Sequence, residues 1–199
     1  DAMNLHAIGK VDKFTGKALA KIETVPTIPT LSSFFGDAMV EICSMNRNVV
    51  GITAAMADGT GLIKLDKQFS DRLFDVGIAE GHAVTFAAGL ACEGIIPVCA
   101  IYSSFMQRAF DHLVHDCAIQ GLHVVFALDR AGLVGADGAT HHGVLDIAYL
   151  RSVQNLAFMA PKDEQELRDM LYSAVFSYTK GPVAIRFPRG NGLGVPIKP

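Results

Sequence analysis

The chain has 199 residues, half of them hydrophobic and 19% charged, with a net charge of −3. That suits one folded domain with a proper core and excludes a disordered chain. The lack of a basic block argues against a nucleic-acid partner, and no apolar run reaches membrane-spanning length or has a signal-peptide layout.

The opening Asp1-Ala2-Met3 reads as a vector remnant ahead of a Met, which makes the chain a piece of a longer parent. Residues 4–29, with Gly9, Gly16, Pro26 and Pro29 among scattered charges, read as a linker or arm. The folded domain is expected over residues 30–195. Thr30 or Ser32 caps a helix to about Ser44, in which Leu31, Phe34, Phe35, Ala38, Met39 and Ile42 recur at helical spacing. Val49 to Thr53 is a strand, Asp58-Gly59-Thr60-Gly61 a turn, and Leu62 to Phe69 a short amphipathic helix. Leu73, Phe74 and Val76 form a short strand bounded at Gly77. The small apolar run from Ala83 to Ala91 reads as a buried helix beginning near Glu80.

Ile95 to Tyr102 is the next strand, and Ser103 or Ser104 begins a helix to about Gln120. His123 to Leu128 is a strand ending at Asp129-Arg130, followed by a Gly-rich loop over 131–145. A short helix lies near Ile147 to Arg151 and a strand over Leu156 to Met159. Asp163 then caps a helix to about Tyr178, and Val183 to Phe187 is the last strand. Residues 196–199 read as the start of a linker. Strands alternating with helices predict an α/β fold: a doubly wound, mainly parallel sheet of about six strands with helices on both faces. The four cysteines, Cys43, Cys92, Cys99 and Cys117, form no Cys-x-x-Cys pair. They read as buried free thiols in a reducing compartment, the cytoplasm.

Ligands of such sheets bind beyond the carboxyl ends of the strands. That edge collects Glu80, Tyr102, Ser103, Phe105, Asp129, Arg130, a loop bearing Asp137, Thr140, His141 and His142, and Arg189. Glu80 can be read two ways. It is a first-turn acid favoured by the helix dipole, or a desolvated carboxylate with a raised pKa that trades a proton near neutrality. Arg130 and Arg189 suit an anion such as phosphate, or are surface ion-pair partners. Tyr102 and Phe105 are a cofactor shelf or edge packing, and Arg108, one turn on, faces the same site or solvent. His141 and His142 sit in a loop with no packing reason to hold imidazoles. His112 and His115 imitate a metal pair, but no third ligand is placed by the spacing, and they read as helix-surface residues. There is no phosphate loop of the Gly-x-x-x-x-Gly-Lys-Ser/Thr kind, no Gly-x-Ser-x-Gly elbow, and no metal-diphosphate motif completed by Asn. No metal ligand is therefore assigned.

Four stretches carry a resemblance: DVGIAEGHAV at 75–84, IYSSFMQRAFD at 101–111, DRAGLVGADGATHHG at 129–143 and RFPRG at 186–190. Together they resemble the pyrimidine-binding domain of thiamine diphosphate enzymes, and most closely the 1-deoxy-D-xylulose-5-phosphate synthase family. The resemblance implies a transferase of isoprenoid and thiamine precursor synthesis that condenses pyruvate with glyceraldehyde 3-phosphate and releases carbon dioxide. It implies that Glu80 bonds the pyrimidine ring nitrogen of thiamine diphosphate and drives the ring to its imino form, which takes the thiazolium proton. Phe105 would stack on the pyrimidine, with Tyr102 beside the cofactor and His141 assisting catalysis. Tyr102, Arg108, Asp137 and His141 would line the substrate pocket, and Arg130 and Arg189 would hold the triose phosphate. Mg2+ would be bound by a preceding domain, so this chain would own half of the cofactor site, act within a homodimer, and be inactive alone. The alternatives are a stand-alone non-catalytic binding domain, a subunit of a split transketolase-like enzyme, or an oxoacid dehydrogenase beta chain. Gly81 and His142 depart from the family, which usually has Gln at both places.

Overall fold

Thr30 caps helix α1 (Leu31–Met45): its side-chain oxygen accepts the Ser33 N–H at 3.2 Å. The computed structural model describes residues 11–17 and 27–198. The start read as a vector remnant and most of the stretch read as an arm lie outside the described residues; residues 12–15 make a turn closed on the Asp12 carboxylate.

After α1 come β1 (Val49–Thr53), α2 (Ile63–Gln68), β2 (Leu73–Asp75), α3 (Glu80–Cys92) and β3 (Ile96–Tyr102). The second half holds α4 (Ser103–Met106), α5 (Phe110–His112), β4 (Val125–Asp129), α6 (Asp146–Leu150), β5 (Ala157–Met159), α7 (Glu164–Phe176) and β6 (Val183–Arg186). The six strands form one sheet in the order β2-β1-β3-β4-β6-β5, every neighbouring pair parallel. The chain leaves β1 toward one edge and returns to build the other from β3 onward, which puts a topological switch point between β1 and β3.

Alternation along the strands divides the core in two. Val98, Ala100, Val125 and Ala127 face α1 and α7 together with Phe35, Met39, Leu171 and Phe187. Cys99, Ile101, Phe126 and Leu128 face the other way, onto Ala83, Val84 and Ala87 of α3 and Met106 and Leu113. Each fully buried large apolar side chain contributes roughly 1.5–3 kcal/mol, so both faces are closed by packing and the polar chemistry is left to the sheet edge.

Three sequence expectations are corrected. The helix expected over 103–120 changes its winding: the α-turn Ser103–Met106 passes through a 3₁₀ turn at Gln107–Ala109 to α5 and then a π-helical stretch, Leu113–Ala118. Helix α3 is buried on one side only, since His82, Thr85, Gly89 and Cys92 reach solvent. Cys92 is therefore exposed, whereas Cys43, Cys99 and Cys117 are buried free thiols as expected. At the C-terminal end, the chain after β6 runs back along α7. The buried Glu164 carboxylate accepts the N–H groups of Leu193, Gly194 and Val195 at 2.7–2.9 Å, and Gln165 accepts that of Lys198.

Candidate functional site

Glu80 opens α3 immediately after the turn that ends β2, and its carboxylate is only 3% exposed. It is not left among apolar neighbours. Arg108, in the 3₁₀ turn, donates from Nη1 to Glu80 Oε1 at 2.6 Å, while its own side chain is 58% exposed. The Arg108 guanidinium also lies over the Phe105 ring, 5.1 Å from its centroid. Phe105 stacks on Tyr102 with centroids 5.5 Å apart and an 18° interplanar angle, and takes His141 edge-on at 5.2 Å.

From Tyr102 the contacts continue across the end of β4. The Arg130 guanidinium lies over the Tyr102 ring, 4.4 Å from its centroid. Burial pushes the Tyr102 phenol up to about 12, so it remains a protonated donor. Arg130 also faces Asp137 at 3.5 Å, and Arg189, just past β6, forms an ion pair with the other oxygen of the same carboxylate at 3.1 Å. The eight residues to which the resemblance gives site roles (Glu80, Tyr102, Phe105, Arg108, Arg130, Asp137, His141 and Arg189) thus belong to one connected set of contacts along one sheet edge.

Within that set the two arginines differ. Arg130 is 15% exposed, and its Nη1 donates to Ser32 Oγ at 3.0 Å, Gly59 O at 2.8 Å and Asp129 Oδ2 at 3.1 Å. Its backbone is left-handed, with φ +60°. For a non-glycine residue that costs on the order of 1–3 kcal/mol and persists only where the surroundings fix it. Arg189 is 42% exposed and has the one carboxylate partner. Asp129 is fully buried; burial raises its pKa, while Arg130 and a 2.6 Å donation from Ser32 Oγ hold part of that rise back.

Two members escaped sequence reading, Ser32 and Gly59, while Asp129 was placed on this edge but given no role. Ser32 was read only as a possible cap, and Gly59 only as part of a turn, although its carbonyl receives Arg130.

The loop over 131–145 brings Asp137 and His141 to this edge. Gly132 and Gly143 exchange backbone bonds at 2.8 and 2.9 Å, and Gly138 turns the chain at φ +87°. His142 points into the loop, where its Nδ1 accepts the Val134 N–H at 3.1 Å. At position 81 the expected Gln has no room, because a Cβ on Gly81 would come within 2.7 Å of the His112 ring. His112 thus packs on Gly81, and His115 pairs with Asp116 at 2.9 Å. Among the described residues, no three His, Cys, Asp or Glu side chains converge on a metal-sized site. The edge can instead hold a flat heterocycle: a buried acceptor carboxylate beside an aromatic face, with guanidinium groups further along for an anion.

Residues 29–193 match the model of the transketolase pyrimidine-binding domain. The chain belongs to this family. Two curated relatives are the 1-deoxy-D-xylulose-5-phosphate synthases of Thermomicrobium roseum, 60% identical over 86% of this chain, and of Gloeobacter violaceus, 57% identical over 96%. Within the family its sequence is thus similar to the corresponding part of 1-deoxy-D-xylulose-5-phosphate synthases. It spans 27% and 30% of those two relatives' length. Among solved structures, a split-gene transketolase described as an inactive beta4 tetramer superposes with TM-score 0.71 at 31% identity, covering 84% of this chain and 53% of that one. The transketolase from Leishmania mexicana superposes with TM-score 0.74 over 89% of this chain and 28% of its own. At 22% identity that likeness speaks for the pyrimidine-domain fold alone. Among the described residues, no helix is long and apolar enough to cross a membrane.

Proposed function

We propose that this chain supplies the pyrimidine-binding half of a thiamine diphosphate site in a 1-deoxy-D-xylulose-5-phosphate synthase, which joins pyruvate to glyceraldehyde 3-phosphate with loss of carbon dioxide. The observation that carries the reading is Glu80: a nearly fully buried carboxylate at a helix start, joined through Arg108 to an aromatic face.

The residues present fit the cofactor's aminopyrimidine. Glu80 would share one proton, taken up on binding, with the ring nitrogen, and the Phe105 face would offer a stacking surface. When bound, thiamine diphosphate supplies the electron sink for decarboxylation and carbon–carbon bond formation. The chain's own residues position and move protons. Glu80 holds the proton shared with the ring nitrogen in a site that excludes water. Tyr102 and His141 frame Phe105 and face the substrate pocket, His141 as its proton carrier. Arg108 and Asp137 line the substrate pocket with them, and Arg130 and Arg189 hold the triose phosphate, Arg189 being the more exposed of the two.

The remaining half of the site, including Mg2+, lies in sequence outside this chain, and the working unit is a homodimer in the cytoplasm. On this reading the isolated chain binds but does not turn over. The split-gene relative favours a second arrangement, in which such a domain is one subunit of a two-chain enzyme; the chemistry of the edge is the same in both.

The test has two arms. With thiamine diphosphate, Mg2+, pyruvate and glyceraldehyde 3-phosphate, this chain alone shows no turnover, and measurable turnover overturns the half-site. In an active assembly carrying the rest of the site, Glu80→Gln lowers the rate by about 100-fold or more, the scale of a lost acid–base group. Near-normal turnover of that variant removes Glu80 from the reaction.

A further inference from the structure

The Arg108 guanidinium makes two contacts at once. It donates to Glu80 at 2.6 Å, and it lies over the Phe105 ring at 5.1 Å. These are the two contacts that the proposed function gives to the aminopyrimidine: an N–H on the carboxylate and a flat group on the aromatic face. A guanidinium suits both, being planar, cationic and rich in N–H donors. We propose that Arg108 is an internal plug, occupying the pyrimidine position of the cofactor-free chain and leaving it only when a ring N–H replaces its own on Glu80. The inference rests on the pyrimidine-binding reading and adds to it a self-inhibiting contact.

The energetics favour a plug over a fixed brace. Glu80 is almost wholly buried, and a buried carboxylate without a partner is strongly unfavourable. Some donor must therefore occupy it at all times. Arg108 is more than half exposed on a long side chain, so it moves into solvent at little cost. Its place in a short 3₁₀ turn, three residues from Phe105, lets one side chain span the ring and the carboxylate. Exchange takes up one proton from solvent, because the pyrimidine nitrogen of free thiamine carries none; that proton, shared between the ring nitrogen and Glu80, replaces the Arg108 N–H and frees a cation at the mouth of the pocket. Loading of the pyrimidine would then switch on a binding group for an anionic substrate, imposing the order cofactor first.

The probe is thiamine itself, without its diphosphate, titrated into this chain and followed by calorimetry and by chemical-shift changes at the Glu80 amide. If the plug is closed about nine-tenths of the time, removing it tightens apparent affinity about tenfold. Arg108→Ala is thus expected to bind about tenfold more tightly than the unaltered chain, Arg108→Met to behave likewise, and Glu80→Gln to lose the gain when combined with either. Equal or weaker binding by both folded Arg108 variants overturns the plug while leaving Glu80 as the pyrimidine's partner. No thiamine binding by any variant overturns the plug and the pyrimidine reading together. Arg108→Met keeps the alkyl packing and guards against a change caused by unfolding.

Discussion

Arg189 Nε lies 3.1 Å from Asp137 Oδ1 in an ion pair, while the other oxygen of that carboxylate faces Arg130 at 3.5 Å. One loop acid thus gathers the ends of β4 and β6 onto the Gly-rich loop. Because Asp137 and Arg189 are both partly exposed, the pair is worth about 1 kcal/mol or less. Asp137→Asn is expected to leave the melting temperature nearly unchanged but to speed hydrogen exchange and proteolysis within residues 131–145. Unchanged exchange there would mean that the Gly132–Gly143 bonds and the His142 contact hold the loop without Asp137.

Glu164 gives a pH-dependent strap. Burial pushes its carboxyl up, but the N–H groups of Leu193, Gly194 and Val195 outweigh burial, and the net pKa lies below the ordinary glutamate value of 4.5. A depressed folded pKa contributes stability that is present above the unfolded value and is lost as pH falls through the folded one. Amide protection at 193–195 is therefore expected to be full near neutrality and to fall progressively once the pH drops below 4.5. Glu164→Gln should lower that protection at neutral pH and flatten its acid limb. A pH profile identical to that of the unaltered chain would rule out the strap.

The thiols separate by burial. Desolvation raises Cys43 to about 11, Cys117 to about 12, and Cys99 well above the ordinary thiol range, so all three stay neutral and poorly nucleophilic. Cys92 is exposed on the outer side of α3. A thiol reagent at neutral pH should label Cys92 quickly in the folded chain, and the other three only on denaturation. Fast labelling of a second cysteine, located by mass spectrometry, would contradict the packing of the sheet.

Asp146 is fully buried and accepts Arg186 Nε at 2.8 Å, tying α6 to the end of β6. Removing one partner of such a pair leaves the other charge desolvated, at a cost of about 3 kcal/mol, discounted here to about 2 because Arg186 reaches some solvent. Asp146→Ala should lower the melting temperature by roughly 4–8 °C at this chain length. A drop under one degree would show that Arg186 finds water instead.

Local pattern carried the fold. Val49–Thr53 was legible because five consecutive residues suited to a strand are all buried, as a two-face-covered parallel strand requires. The N-terminus of α7 was legible because Asp163 caps it, accepting the Glu166 N–H at 2.8 Å. Strand ends then placed the site residues on one edge without any knowledge of their contacts. What escaped was pairwise and distant. Glu80 and Arg108 are 28 positions apart, and Ser32 and Arg130 98 apart, separations that no periodicity encodes. Cys92 was misjudged because small residues all round α3 hide which side faces out. The π-helical stretch after His112 leaves no mark in composition, since its residues suit an α-helix equally well.

Because all six strands run the same way, each neighbour in the sheet is reached by a crossover and none by a tight hairpin. No two adjacent strands can zip from a local turn, so loop closure precedes every strand contact and renaturation will be slow for the chain's size. Until those closures are made, long apolar strands such as Ile96–Tyr102 stand unpaired. Refolding yield will then depend on dilution, because intermolecular strand pairing competes with closure of the chain on itself.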